Sequence, residues 1–209
     1  MKNQTSSPRV QRNREAATQA ILNAARAIMR EEGVAALSMQ ELARRMDMRA
    51  PSLYNYFSSK AEIYDTLFRL GFTMFDAHIK DLMQTSTGLH DELRINIEGY
   101  MSFALENPDL YQLCFERPVP GFVPSEESLA LSFGILNQSY QRADQFKKQL
   151  NTKLTGQQIV DTVIAISHGL TAMHLANEPN LPIGQGRFGS LIPVVLSILE
   201  KAMPIQGES

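Results

Sequence analysis

The sequence predicts an all-α fold: a small N-terminal three-helix helix-turn-helix domain followed by a larger helical domain. Three observations carry that expectation. Nearly every periodic segment repeats its apolar residues at helical spacing, and none alternates apolar and polar residues as a half-buried strand does. Helix punctuation recurs along the first third: Gly33, Ser38-Met39-Gln40-Glu41, Pro51 and Ser58-Ser59-Lys60. Two Pro/Gly-rich stretches, RPVPGFVPSEE and NEPNLPIGQG, read as loops that divide the remainder.

Residues 1–11 are polar with scattered basic side chains and read as a flexible arm. Residues 12–58 form the first domain, completed by about residues 59–68, and 59–209 form the second. A first helix is expected from Arg12 to Glu32, where Ala17, Ile21, Ala24 and Ile28 share a face, with Gly33 as its left-handed C-terminal cap. A second, short helix opens with a capping box, the Ser38 hydroxyl accepting a free N–H while Glu41 reaches back. Its apolar stripe is Met39, Leu42, Ala43 and Met46. Pro51 suits the first turn of a third helix, because it brings no N–H to leave unbonded. On that helix Ala50, Leu53 and Phe57 share a narrow inward face, which turns Tyr54, Asn55 and Tyr56 outward.

The fourth helix is expected over Ser59–Gln84, with Ile63, Leu67, Leu70 and Met74 inside. Further helices are expected at Leu89–Glu106, Asp109–Glu116, Ser125–Leu150, Gln157–Ala176 and Arg187–Ala202, the last kinked at Pro193.

Composition narrows the function classes. The net charge of −2 hides an asymmetry: residues 1–60 hold ten Lys/Arg against five Asp/Glu, and the remainder is acidic. A basic end on an acidic body suits a polyanionic partner at that end. The single cysteine, Cys114, excludes an intramolecular disulfide and fits a reducing cytoplasm, the expected location. No uninterrupted apolar run of membrane-spanning length and no secretory signal is present, so no membrane association is expected.

Two short helices joined by a tight turn, the second with a polar outer face, match a helix-turn-helix, whose second helix enters the major groove. Arg49 can make a bidentate pair with guanine, and Ser52 and Asn55 can bond base edges or phosphate. The Tyr54 and Tyr56 hydroxyls can reach phosphate oxygens. Lys60, at the start of the fourth helix, adds its charge to free N–H groups and a helix dipole. An exposed Tyr-x-Tyr is also compatible with an ordinary protein contact.

The stretch GVAALSMQELARRMDMRAPSLYNYFSSKAEIYDTLF, Gly33–Phe68, resembles the DNA-binding domain of the TetR family of bacterial transcriptional regulators. The resemblance extends from about Ala16 and rests on the glycine after the first helix, the capped second helix, Leu-Tyr-x-Tyr-Phe and the Ser-Lys pair. It implies a two-fold dimer that binds a palindromic operator, with a variable ligand-binding body, most often a repressor released by a small molecule. It also implies DNA contacts at Ser38, Arg49, Ala50, Ser52, Tyr54, Asn55, Tyr56 and Lys60, with Arg44 and Arg45 as further backbone contacts. Asp47 stands where the family commonly has the turn glycine; aspartate tolerates the left-handed conformation better than most residues. NPDLYQLCFERPVPGF and AISHGLTAMHLA resemble a subgroup with a His-Gly pair in the penultimate helix, although the tryptophan usual just upstream is absent.

Candidate lining residues for a small, mostly apolar effector are Phe72, Phe75, Tyr100, Phe103, Tyr111, Phe115, Phe133 and His168. Aromatics at helical spacing are also ordinary core. Gln157–Ala176 is apolar on more than one face and Arg187–Ala202 adds further apolar residues. A homodimer interface is therefore expected over Ile159, Val163, Ile166, Leu170, Leu191, Val194, Val195 and Ile198. No cofactor or metal is expected: His168 and His174 lie on different faces of one helix, and no metal-binding, phosphate-binding or nucleophile motif occurs. Two other readings compete: an all-helical enzyme with a small-molecule pocket, and a helix-turn-helix protein whose body only dimerises. The first lacks a coupled acid, base or nucleophile set; an enclosed cavity in the body would argue against the second.

Overall fold

The computed structural model describes residues 8–206, which are helical apart from connecting turns and one isolated antiparallel bridge between Leu150 and Ile205. The helices in order are α1 (Pro8–Glu32), α2 (Met39–Arg45), α3 (Ala50–Leu53), α4 (Lys60–Met83), α5 (Leu89–Glu106) and α6 (Pro108–Tyr111). They are followed by α7 (Glu126–Phe146), α8 (Gly156–Asn177), α9 (Gly186–Gly189) and α10 (Ile192–Ala202).

Three expectations are corrected. Residues 8–11, assigned to the arm, form the first turn of α1; Pro8 is tolerated there because the N–H it lacks is not needed. The seven residues before it lie outside the described ones. Pro193 does not kink a long last helix. The segment divides into α9 and α10, and Pro193 sits in the first turn of α10. The segment from 109 to 116 is not one α-helix either: after α6 it widens into a π turn, Gln112–Glu116, ended by Arg117 in the left-handed region (φ 50°).

The chain forms two compact units. The first contains the residues up to Gly71 and Asp109–Ser128; the second contains Phe72–Pro108 and the residues from Leu129 onward, so the division falls inside α4. In the first unit Ile21, Leu22, Ala25, Ile28 and Met29 of α1 are buried with Leu42, Leu53, Phe57, Ile63 and Leu67. The inward face of α1 thus centres one residue beyond the Ala17/Ala24 stripe. Asp109 is buried in the same unit. It accepts from Arg26 Nε at 2.6 Å and Arg30 Nε at 2.8 Å, two cations one helical turn apart on α1. Burial pushes its carboxyl up, but the two arginine hydrogen bonds outweigh that and hold it below the usual aspartate value.

Gly71 meets the π turn at close range. A Cβ there would lie 2.5 Å from Cys114 Sγ, inside any real contact distance. Gly71→Ala is expected to cost about 1–3 kcal/mol in urea unfolding, and adding Cys114→Ala is expected to restore most of it. Burial also pushes the Cys114 thiol up, which keeps it protonated and unreactive.

The second unit is built around Leu93, Ile97 and Met101 of α5, Ile159, Val163 and Leu170 of α8, and Ile192 and Leu199 of α10. Arg142 of α7 makes a two-pronged pair with Glu92 of α5, at 2.9 and 2.6 Å. Helix α8 starts on a full capping box, Thr155 and Gln158 each accepting the other's backbone N–H. It is long and apolar enough to span a membrane by length and composition, and 28% of that window is buried.

Candidate nucleic-acid interface

The Ser38 hydroxyl accepts the Glu41 N–H at 3.2 Å and starts α2. Only half of the expected capping box forms, because the Glu41 carboxylate is drawn away by cations one turn on. It accepts from Arg44 Nε and Nη2 at 2.8 and 2.7 Å, and from Arg45 Nε at 2.8 Å. Those two arginines hold the Glu41 carboxyl down to about 2. Arg45 also reaches Glu31 and Glu32 at the end of α1, both at 2.6 Å. Its guanidinium therefore ties α2 to the last turn of α1, where two acidic groups would otherwise face the negative end of the helix dipole.

Helix α2 closes in a Schellman arrangement. Met48 N–H donates to Ala43 C=O at 2.9 Å and Asp47 N–H to Arg44 C=O at 3.3 Å, with Asp47 left-handed at φ 50°. The aspartate takes up the conformation for which glycine is the usual choice. Arg49 is then extended, and tight turns run on from α3: Ser52 N–H to Arg49 C=O, Asn55 N–H to Ser52 C=O and Phe57 N–H to Leu53 C=O. From α1, Arg14 Nη2 donates to the Asn55 carbonyl at 3.2 Å and fastens the end of this element.

Leu53 and Phe57 anchor α3 in the core, and the rest of its surface is outward. Arg49, Pro51, Tyr54 and Asn55 are exposed, while Ala50, Ser52 and Tyr56 are half-buried. Tyr54 is 53% exposed, an unusual place for a large ring with nothing over it. Among the described residues Arg49 has no acidic partner, in contrast to Arg44 and Arg45. Ser38 and Lys60 are exposed on the same unit, Lys60 with its ammonium 5.8 Å from the Tyr64 ring centre. The α4 N-terminus is more occupied than its sequence implies. Ser59 Oγ accepts the Glu62 N–H, and the Glu62 carboxylate accepts both the N–H and the hydroxyl of Ser58.

Further residues that hold the element lack an obvious motif. Tyr64, buried in α4, donates its hydroxyl to the Val34 carbonyl at 2.7 Å, in the turn between α1 and α2. Burial pushes that hydroxyl up to about 12, so it stays a neutral donor. The Arg26/Arg30 pair was legible only as two like charges four apart on a helix; the carboxylate they clamp lies 79 residues or more away.

The candidate effector residues are divided between the two units. In the second unit Phe75 meets Tyr100 and Phe103 edge-on at 5.7 and 5.3 Å, and the Tyr100 hydroxyl lies 3.1 Å from His168 Nδ1. Phe72 is half-buried in that unit, and Phe133 is 57% exposed on α7. Tyr111 and Phe115 belong to the first unit, their rings 5.8 Å apart. Of the candidate dimer residues, Ile159, Val163 and Leu170 lie in the core of the second unit, with Ile166 and Val195 packed against it. Leu191, Val194 and Ile198 are exposed, and so are Ile164, part of the apolar pattern of that helix, and Met173, which the pattern did not single out.

Comparison with known proteins agrees with this geometry. The model of bacterial regulatory proteins, tetR family, matches residues 21–67, from the middle of α1 through α2 and α3 to the first turns of α4. The chain is 29% identical over 97 residues to the HTH-type transcriptional activator FasR of Mycolicibacterium smegmatis. It is 32% identical over 93 residues to the HTH-type transcriptional regulator YobS of Bacillus subtilis, described as uncharacterized. Those alignments take in 46% and 44% of this chain, and 44% and 48% of the relatives, so the chain spans about half the length of the curated relatives it matches. The fold continues further. A TetR family transcriptional regulator from Chloroflexus aurantiacus superposes with a TM-score of 0.66 at 19% identity, over 90% of this chain and 94% of that one.

Proposed function

We propose that the chain, whose residues 21–67 match the model of bacterial regulatory proteins, tetR family, is a cytoplasmic transcriptional regulator that binds a partly palindromic operator as a homodimer. The observation that carries this reading is the outer surface of the α2–α3 element: an unpaired Arg49, exposed Tyr54 and Asn55, and half-exposed Ser52 and Tyr56 on a firmly anchored backbone. Arg49 reads a base edge, and Ser52 and Asn55 bond bases or phosphate. Ser38, Ala50, Tyr54, Tyr56 and Lys60 position the backbone, joined by Arg44, whose side chain is 72% exposed. Arg45 supports the surface from behind through its three carboxylates. Selection from a random duplex pool tests the reading: two copies of one short half-site are expected, and recovery of unenriched sequence would refute it.

The dimer reading draws on α8 and α10. Ala165, Gly169, Ala172 and Ala176 give α8 a low outer surface, flanked by Ile164 and Met173. On α10, Leu191, Val194 and Ile198 recur at i, i+3 and i+7 as an uncovered apolar ridge. A second copy is the natural cover for both helices, in a four-helix arrangement about a two-fold axis.

The regulator acts as a repressor released by a small, mostly apolar molecule bound in the second unit beside Phe75, Tyr100, Phe103 and His168. Helix α4 carries the signal, since it is one helix, Lys60–Met83, that supplies residues to both units. Coupling of this kind amounts to about 1–3 kcal/mol and is reciprocal. Saturating operator is therefore expected to weaken effector binding by the same factor by which effector weakens operator binding. Equal effector affinity with and without operator in a calorimetric titration would rule the coupling out. The reading assigns no catalysis to the chain.

A further inference from the structure

The first unit contains a surface crevice of about 60 Å³, lined by Phe68, Leu113, Val119, Phe122, Val123 and Pro124, with the exposed Arg117 as its charged lining residue. Three features set it apart from a packing defect. Arg117 holds a left-handed backbone (φ 50°, ψ 51°) that is costly for a side chain other than glycine or asparagine, and the more so before Pro118. Its guanidinium has no acidic partner among the described residues, beside a wall that is otherwise apolar. The crevice also borders the π turn Gln112–Glu116, a helix irregularity that frequently marks functional sites.

We propose that this crevice binds a short-chain monocarboxylate, its carboxylate on Arg117 and its apolar tail against Phe68, Leu113 and Phe122. A lone arginine over an apolar wall fits a ligand with one anionic end and a hydrocarbon remainder. The volume holds roughly four or five non-hydrogen atoms, a tail of about four carbons, as in valerate. The site lies within the first unit. It also reaches the DNA-binding element directly: the Phe122 ring lies 5.4 Å from that of Tyr64, whose hydroxyl holds Val34 before α2. Only this regulatory consequence rests on the operator-binding reading; ligand binding itself does not.

Calorimetric titration of the full chain with valerate tests the site. One molecule per chain is expected to bind, with valeramide and the Arg117→Gln variant each weaker by about tenfold or more. Val119→Trp, which fills the crevice, is expected to abolish binding while the melting temperature shows the variant folded. Absence of binding up to about 10 mM valerate, or equal affinity for valeramide or for Arg117→Gln, overturns the proposal. With the selected operator, Tyr64→Phe is expected to keep valerate binding but lose its effect on DNA affinity. If no operator is found, the binding arms still decide the site.

Discussion

Asp109→Ala is expected to destabilise the protein by about 3 kcal/mol, the low end of the penalty for breaking a buried ion pair. The carboxylate is fully buried, and its loss removes the two-pronged partner of Arg26, which is only 16% exposed. Arg30, at 44% exposure, can turn to water, which is why the cost stays at the low end. The effect is pH-dependent with a definite sign. Because the folded carboxyl titrates below its unfolded value, its stabilisation is complete above the ordinary aspartate range and disappears as pH falls through the folded value. The difference between Asp109→Ala and the parent in urea unfolding is therefore expected to be constant near neutrality and to shrink in acid below about pH 4. A constant difference down to the acid limit would show that Asp109 stabilises by packing and not by charge.

The second large effect concerns assembly. Val194 and Ile198 are 52% and 58% exposed, so they contribute little to the core of their own protomer. Replacing both with aspartate is expected to leave the helical content intact and to halve the mass in sedimentation equilibrium. A monomer can occupy only one half-site, which removes the gain from linked binding, and operator affinity is expected to fall by about 10²–10⁴-fold. Leu199→Asp makes the contrast: Leu199 is buried, and a charge there is expected to unfold the second unit instead of dissociating it. A parent chain that is already monomeric at micromolar concentration would contradict the assembly.

How much was legible in the sequence follows from what periodicity encodes. Helical spacing and caps located α1, α4, α5, α7 and α8 to within a few residues, because those signals are local: Gly33, Ser38, Pro51 and Ser59 all stand at helix ends. The division of labour on α3 was also legible, since 100° per residue places Leu53 and Phe57 together and turns Tyr54 and Asn55 away. Tertiary partners were not. Arg45 reads as a surface cation until Glu31, Glu32 and Glu41 converge on it, and Glu41 leaves its capping role for the same reason. Ile159, Val163 and Leu170 are apolar in the same pattern as a dimer surface, and only packing against α5 and α10 shows that they form a core within one chain. Side-chain type also says nothing about which unit a helix joins: Tyr111 and Phe115 belong to the first unit, Phe75 and Tyr100 to the second.

The measurement that bears most directly on the central claim compares Arg49→Ala with Lys60→Ala on the selected operator and on scrambled duplex across a range of salt. Both side chains are exposed cations, so neither substitution is expected to disturb folding. Arg49→Ala is expected to cost about 1–3 kcal/mol on the operator, to leave scrambled duplex nearly unchanged, and to relax preference at one base position of each half-site. Lys60→Ala is expected to weaken both duplexes alike and to reduce the slope of log K against log salt. If both variants bind operator and scrambled duplex as the parent does, α3 and the start of α4 do not contact DNA, and the assignment of this surface as the nucleic-acid interface is wrong.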